Sequence, residues 1–144
     1  MAYRFRLQKL LEWRQSQLDA ARSDLERAVA VLEQSRLALV RLDMSRQEAD
    51  RRVMGAASLD GAELHALERY RLKIRQKALE AKQHIAAGEQ RVCEEKQHVV
   101  DAHRQVRLLE KLNERRYAEW RIAEQRDTER TDSEAFLARW QPPS

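Results

Sequence analysis

Hydrophobic residues recur at a seven-residue spacing along most of this chain. In its first part, leucine occupies every seventh position from Leu11 to Leu39, and nine of the twelve heptad core positions are apolar. In its second part, the a positions run from Leu64 to Trp120, and thirteen of eighteen a and d positions are apolar. A heptad repeat of this length is typical of helices that pair in a left-handed coiled coil. The pattern therefore predicts two long helices.

The two heptad registers are separated by a single break that contains Gly55 and Gly61. Glycine readily ends a helix, and Asp60 followed by Glu63 is typical of an N-cap with its capping-box partner. One unbroken helix is disfavoured, because each glycine in a helix interior costs about 1 kcal/mol. The prediction is a single all-α antiparallel coiled-coil hairpin with a longer, overhanging second helix: helix one at about 3–52, a turn at about 53–60, helix two at about 60–139 and a tail at 140–144.

The heptads also allow a prediction of register. In an antiparallel pair, the a positions of one helix face the d positions of the other, and these facing positions form the seam. If the numbers of facing residues add to 113, Leu25 faces Gly88, and large side chains oppose small ones along the seam. Such alternation fills a core without voids. We predict this register, with Arg14 as the bonding partner of Glu95, the one acidic residue among the d positions of helix two.

In that register, residues beyond about 110 have no partner within the chain. This overhang carries Tyr117, Trp120 and Trp140 among many charged residues. An isolated helix gains little stability from propensity alone, so its aromatic side chains indicate a partner surface. A dimer of hairpins would bury the same side chains, and that alternative stays open.

Composition narrows the class of protein. Three glycines and two prolines in 144 residues leave few turns, which excludes sheet and α/β folds. The 28 Lys and Arg are interleaved with 24 Asp and Glu, so there is no polybasic run of the kind that binds nucleic acid. One cysteine suits a reducing compartment, and no apolar segment reaches the roughly 20 residues that span a bilayer. We expect a cytoplasmic protein with no nucleic-acid partner and no direct membrane insertion.

Signatures of catalysis and cofactor binding are missing from the sequence. It contains no Gly-rich phosphate loop, no GxSxG motif and no CxxC pair. A two-helix fold offers no cleft for paired carboxylates. The residues that could ligate a metal fall outside the a and d positions and are not grouped as a zinc site requires; they are His65, His84, His98, His103 and Cys93. We predict no enzyme activity, no cofactor and no metal site.

Two segments and a shorter terminal element carry a family resemblance. Near the C-terminus, Leu109-Glu110-Lys111-Leu112-Asn113-Glu114-Arg115-Arg116 is similar to the L-E-K-L-x-E-R-R segment of the flagellar export protein FliJ family, and Asp132–Ala135 resembles the family's terminal acidic element. The opening segment resembles the family's F-x-L-x-x-L-L-x-x-R pattern, which is matched by Phe5, Leu7, Leu10, Leu11 and Arg14. Together with the single break and the longer second helix, the resemblance covers nearly the whole chain.

The resemblance implies a non-enzymatic component of the flagellar type III protein export apparatus. Family members form an antiparallel coiled coil that resembles the rotor stalk of rotary ATP synthases. They insert the paired chain ends into the hexameric flagellar export ATPase, contact the export gate protein FlhA and bind export chaperones. The resemblance thus implies a protein that is monomeric alone and peripherally associated with the inner membrane at the export apparatus.

Candidate site residues follow from the resemblance. Those that would contact the ATPase are Phe5, Leu7, Leu10, Leu11, Leu109, Glu110, Lys111, Leu112, Glu114, Arg115 and Arg116. Three of these are also expected to serve the core of the coiled coil, namely Leu7, Leu11 and Leu109. Those that would contact the export gate are Tyr70, Gln83 and His84.

Other functions fit the same pattern. A YscO-like stalk of a virulence type III secretion system would play the same part in another machine, and the Phe5-x-Leu7 opening favours the flagellar one. A generic homodimeric scaffold would also be a coiled coil, but it would associate with increasing concentration. A basic nucleic-acid binder would show a steep salt dependence, which the interleaved acidic residues do not favour.

Overall fold

The computed structural model describes residues 2–55, 58, 60–140 and 142. Its elements are helix α1, Gln8–Gly55, and helix α2, Gly61–Arg139, and the described residues contain no strand. The predicted all-α antiparallel hairpin is confirmed as the fold class. Part of the predicted turn (Ala56, Ala57 and Leu59) and part of the predicted tail (Gln141, Pro143 and Ser144) lie outside the described residues.

The start of α2 is fixed by a side-chain cap. The backbone N–H of Glu63 donates to Oδ1 of Asp60 at 2.8 Å, and the N–H of Leu64 donates to the Asp60 carbonyl at 3.1 Å. An Asp at this position satisfies an amide that the first helical turn leaves without a partner. The predicted N-cap is confirmed. Glu63 in the first turn also complements the positive end of the helix dipole.

The chain divides into two compact units. The terminal unit combines Met1–Asp19 with Asp101–Ser144, and the turn unit spans Ala20–Val100. Each unit therefore contains a segment of α1 and a segment of α2. All the ATPase-contact candidates belong to the terminal unit, and all the gate-contact candidates belong to the turn unit.

Burial follows the heptad positions in both units. Every described residue that is buried lies at an a or d position of the heptads, if the d series of helix one is continued from Leu42 to Ala49. The buried residues are Leu11, Leu18 and Val106 in the terminal unit, and Ala28, Leu32, Ala49, Ile74, Ala81, Val92 and Glu95 in the turn unit. The side-chain period of a helix brings such positions onto one face. The assignment of the seam from the sequence is therefore confirmed.

The register, however, differs from the predicted one by a heptad. A Cβ atom on Gly88 would lie 3.2 Å from Cδ1 and 3.7 Å from Cα of Leu32, so Gly88 faces Leu32 and not Leu25. Ala28, Leu32 and Val92 form the buried cluster of the turn unit. Facing residue numbers here add to 120, and the predicted register was wrong by seven. The reason is that a seven-residue shift returns every a and d residue to the seam, so the periodicity cannot distinguish the two alignments.

Glu95 is the one buried charged residue among the described residues. Its carboxylate contacts Nε of Arg91 at 2.9 Å and Nδ1 of His98 at 3.4 Å, and both partners lie on α2 within a turn. The hypothesis that Arg14 pairs with Glu95 was therefore wrong. A local partner at i−4 satisfies the carboxylate whichever residue the opposite helix presents.

Candidate partner-binding surface

The N-terminal segment of the terminal unit is tied to α2 through the side chain of Tyr3. Residues 2–5 lie outside the helices, and the N–H of Gln8 donates to the Phe5 carbonyl at 3.1 Å as α1 begins. The Tyr3 hydroxyl lies 2.5 Å from Oδ1 and 3.1 Å from the carbonyl oxygen of Asn113, and it donates there. This contact joins the two segments that carry the family resemblance.

Aromatic rings extend that contact along α2. The Tyr3 ring centroid lies 5.3 Å from that of Tyr117 in an edge-on arrangement and 5.8 Å from that of Trp120. The Tyr117 and Trp120 rings stack on each other at 5.9 Å. Such geometries stabilise aromatic pairs beyond the area that they bury. We call Tyr3, Tyr117 and Trp120 the aromatic cluster.

The aromatic cluster corrects the predicted overhang. The prediction left Tyr117 and Trp120 without a partner in the chain, whereas Tyr3 contacts both. In the observed register, in which facing residue numbers add to 120, position 3 comes level with position 117. The predicted register of 113 placed it level with position 110, so the overhang began too early on α2.

The ATPase-contact candidates of the opening segment divide between surface and core. Leu11 is buried, at 5% exposed, and takes part in the seam. Phe5 is half-buried. Leu7 and Leu10 are exposed at 38% and 39%. Leu7 is thus available to a partner, although the heptad assigned it to the core.

The candidates on α2 are mainly polar and accessible. Leu109, Glu110 and Leu112 are half-buried, and the exposed candidates are Lys111, Glu114, Arg115 and Arg116. Glu110 accepts from Arg107 at 2.9 Å, and Arg116 lies 3.8 Å from Glu119. Ion pairs this exposed contribute little stability, so their charged groups can exchange partners on binding.

The sequence identified the two family segments as candidates for partner binding, but it did not identify the contact of Tyr3 with Asn113 that joins them. Asn113 was left out of the candidate residues because the family motif accepts any residue there. Its signal was its position, since a polar Asn at an a position of a coiled coil usually has a specific partner. Tyr3 gave no periodic signal, because it lies before α1.

Prediction: Tyr3→Phe lowers the free energy of unfolding by about 1 kcal/mol, because it removes a hydrogen bond and leaves a half-buried acceptor without its donor. Tyr3→Ala also removes two ring contacts and costs about 2 kcal/mol in total. Urea titrations followed by circular dichroism measure both. The matched control is Tyr70→Phe, because Tyr70 is 47% exposed and its substitution should cost less than about 0.5 kcal/mol. Equal costs for the two Tyr→Phe variants would contradict a stabilising role of the Tyr3 bond.

The gate-contact candidates all lie at the surface of the turn unit. Tyr70, Gln83 and His84 are exposed. Tyr70 and His84 both occupy g positions, two heptads or about 21 Å apart along α2, so they share one flank. Gln83 occupies an f position, on the face away from the seam. Tyr70 lies in a shallow groove with Met44, Ala49 and Leu67.

The rest of the described surface offers little chemistry. Among the described residues, no three His, Cys, Asp or Glu side chains converge as a metal site requires. Cys93 is exposed and unpaired. Within the described ranges, neither helix has a stretch apolar enough to cross a bilayer.

Comparison with known proteins gives one family. The family model described as "Flagellar FliJ protein" matches residues 3–138, which is nearly the whole chain. Comparisons with curated proteins and with solved structures give no significant match.

Proposed function

The chain belongs to the flagellar FliJ family, and from that premise we propose that it is a stalk of the flagellar type III export apparatus that inserts into the hexameric export ATPase. Membership itself implies a role connected with flagellar protein export. The observation that carries the finer proposal is the terminal unit. It brings both family segments together and presents Leu7 and Leu10 at its surface.

The terminal unit has the chemistry of a partner surface. Exposed leucines supply apolar contact area, and Arg115 and Arg116 supply groups that pair with carboxylates. Arginine and aromatic residues dominate the binding energy of many interfaces. The Tyr3 bond to Asn113 holds the opening segment in place before a partner arrives, which reduces the entropy lost on binding.

The proposed mechanism is allosteric and involves no catalysis by this chain. A single chain inside a six-fold ring contacts its subunits unequally. Unequal contacts have different affinities for different subunit conformations, and differential affinity shifts their populations. The chain would in this way change the rate at which the ring hydrolyses ATP.

The turn unit is proposed to face the export gate protein FlhA. Tyr70 and His84 would contact it from their shared flank, and Gln83, next to His84 on the face away from the seam, would contact it at the edge of that surface. The chain would also bind export chaperones. It would work as a monomer in the cytoplasm, peripherally associated with the inner membrane at the export apparatus.

The proposal is tested by adding the full chain to the purified flagellar export ATPase. We expect ATP turnover to rise and the hexameric fraction, measured by sedimentation, to increase. No change in either quantity at saturating concentration would contradict the stalk proposal. Stimulation confined to a virulence-type ATPase would favour the YscO-like alternative. Concentration-dependent self-association of the chain alone would favour the scaffold.

A further inference from the structure

We propose that the turn unit has a second seam register, shifted by one heptad from the observed one, and that Arg71 selects between the two by exchanging Asp50 for Asp43. The inference concerns Ala20–Val100 and does not depend on the proposed partners. It follows from three properties of this unit: a seam that repeats, a salt bridge that repeats, and helix ends that are free of packing.

After a shift of seven residues, these layers of the seam would contain the same apolar side chains as before. Gly88 now faces Leu32, and a shift of seven residues would bring Leu25 to the same place. Val92 packs in the cluster with Ala28, and the shift would bring Ala21 there. In both cases the incoming side chain is identical to the outgoing one. The hydrophobic contribution of these layers therefore hardly distinguishes the registers.

The salt bridge between Arg71 and Asp50 could likewise be replaced by an equivalent one after the shift. Arg71 at an a position donates from Nη2 to Oδ1 of Asp50 at 2.7 Å, with 32% of its side chain exposed. Asp43 lies seven residues before Asp50, so the shift would place its carboxylate where that of Asp50 now lies. Asp43 at present contacts Arg46 at 2.9 Å and Gln47 at 3.2 Å on its own helix. Exposed contacts of this kind are weak, and they leave Asp43 able to change partner.

Two observations set the balance between the registers. Arg36 contacts Glu89 across the seam at 3.5 Å, whereas the shift would bring it near Lys82, so repulsion favours the observed register. On the other side, Nε of Arg71 is buried without a hydrogen-bond partner among the described residues. An unmet buried donor is costly, so the contact with Asp50 leaves Arg71 incompletely satisfied, which lowers the cost of exchanging Asp50 for Asp43. The difference that results is small enough for a bound partner to reverse.

The helix ends would allow the shift. A Cβ atom on Gly55 or on Gly61 would meet nothing within 4 Å. Packing at these two glycines therefore does not oppose a change in the length of either helix, although a change at the start of α2 would break the Asp60 cap. A seven-residue shift moves one helix about 10 Å along the other, which makes the turn unit a two-state element that a ligand can bias.

Disulfide trapping tests the proposal in the full chain with Cys93→Ser as background. Leu32→Cys with Gly88→Cys reports the observed register, because the Leu32 Cβ lies 3.6 Å from a Cβ at position 88, within the disulfide range of about 3.5–4.5 Å. Leu25→Cys with Gly88→Cys reports the shifted register. Leu39→Cys with Gly88→Cys is the matched control. Leu39 and Leu25 lie one heptad on either side of Leu32, and the proposed shift brings only Leu25 opposite Gly88.

We expect the 25/88 pair to form its disulfide more slowly than the 32/88 pair but severalfold faster than the 39/88 pair. Asp50→Asn should speed the 25/88 disulfide about fivefold, because it removes a charge-assisted hydrogen bond of the observed register. Asp43→Asn should slow it towards the 39/88 rate. Equal rates for the 25/88 and 39/88 pairs, or no response to Asp50→Asn, would overturn the proposal.

A second set of cysteine pairs tests the same shift without substituting Gly88. Ala28→Cys with Val92→Cys reports the observed register, Ala21→Cys with Val92→Cys the shifted one, and Ser35→Cys with Val92→Cys is the control. The order of rates should be the same as in the first set. A 21/92 rate no greater than the 35/92 rate, in variants whose helicity by circular dichroism is unchanged, would overturn the proposal independently.

Discussion

Leu32→Ala is expected to lower the free energy of unfolding by about 3 kcal/mol. Leu32 is 6% exposed and belongs to the buried cluster of the turn unit. It lies opposite Gly88, which has no side chain that could fill the space left by the substitution. The cost of such a truncation grows with the cavity that remains. Urea unfolding followed by circular dichroism measures it.

The same site offers a control and a rescue. Leu37→Ala truncates a leucine that is 52% exposed on the same helix and should cost less than about 0.5 kcal/mol. Gly88→Ala adds a Cβ atom that would lie 3.2 Å from Leu32 Cδ1, so crowding offsets its gain in helix propensity. In the Leu32→Ala background that crowding disappears, and Gly88→Ala should recover about 1 kcal/mol. Similar costs for Leu32→Ala and Leu37→Ala would contradict the observed seam.

The second expected result concerns binding. Leu7→Ser combined with Leu10→Ser should weaken binding to the flagellar export ATPase about 100-fold. Each leucine is a little over one third exposed in the terminal unit, and loss of an anchoring side chain from an interface typically costs more than about 1 kcal/mol. Titration of the labelled full chain with the ATPase, read by fluorescence anisotropy, measures the dissociation constant.

The matched control for binding is Leu37→Ser combined with Val40→Ser. These side chains are 52% and 50% exposed on the same helix, but they belong to the turn unit. We expect their substitution to leave the dissociation constant unchanged within about twofold. Equal weakening by both double variants, or none by either, would contradict the assignment of the ATPase contact to Leu7 and Leu10.

The sequence predicted the features that depend on local chemistry. The heptad identified the seam positions, including Leu32 and Gly88, because a helix brings every such residue to one face. Asp60 identified the start of α2, because its side chain caps an amide three residues later. Seam membership and capping both depend on spacing along the chain, and the sequence records spacing directly.

The features that it failed to predict depend on pairing between distant segments. The register could not be read because Leu25 and Leu32 are equivalent to a pattern of period seven. Discrimination comes instead from polar contacts across the helices, such as Arg36 with Glu89. The contact of Tyr3 with Asn113 could not be found either, because a residue outside a helix carries no period. The partner-binding roles proposed for the candidate residues come from the family resemblance and not from spacing along the chain.

The exposure of the last part of α2 limits the affinity of any ligand that binds it. Residues 125–140 are all exposed, and Phe136, Leu137 and Trp140 are each more than half exposed. A helical segment without packing is marginally stable in water, so a ligand that requires it as a helix must supply part of its folding free energy. Affinity would then be lower than the contact area suggests. Attachment through this segment would therefore be readily reversible.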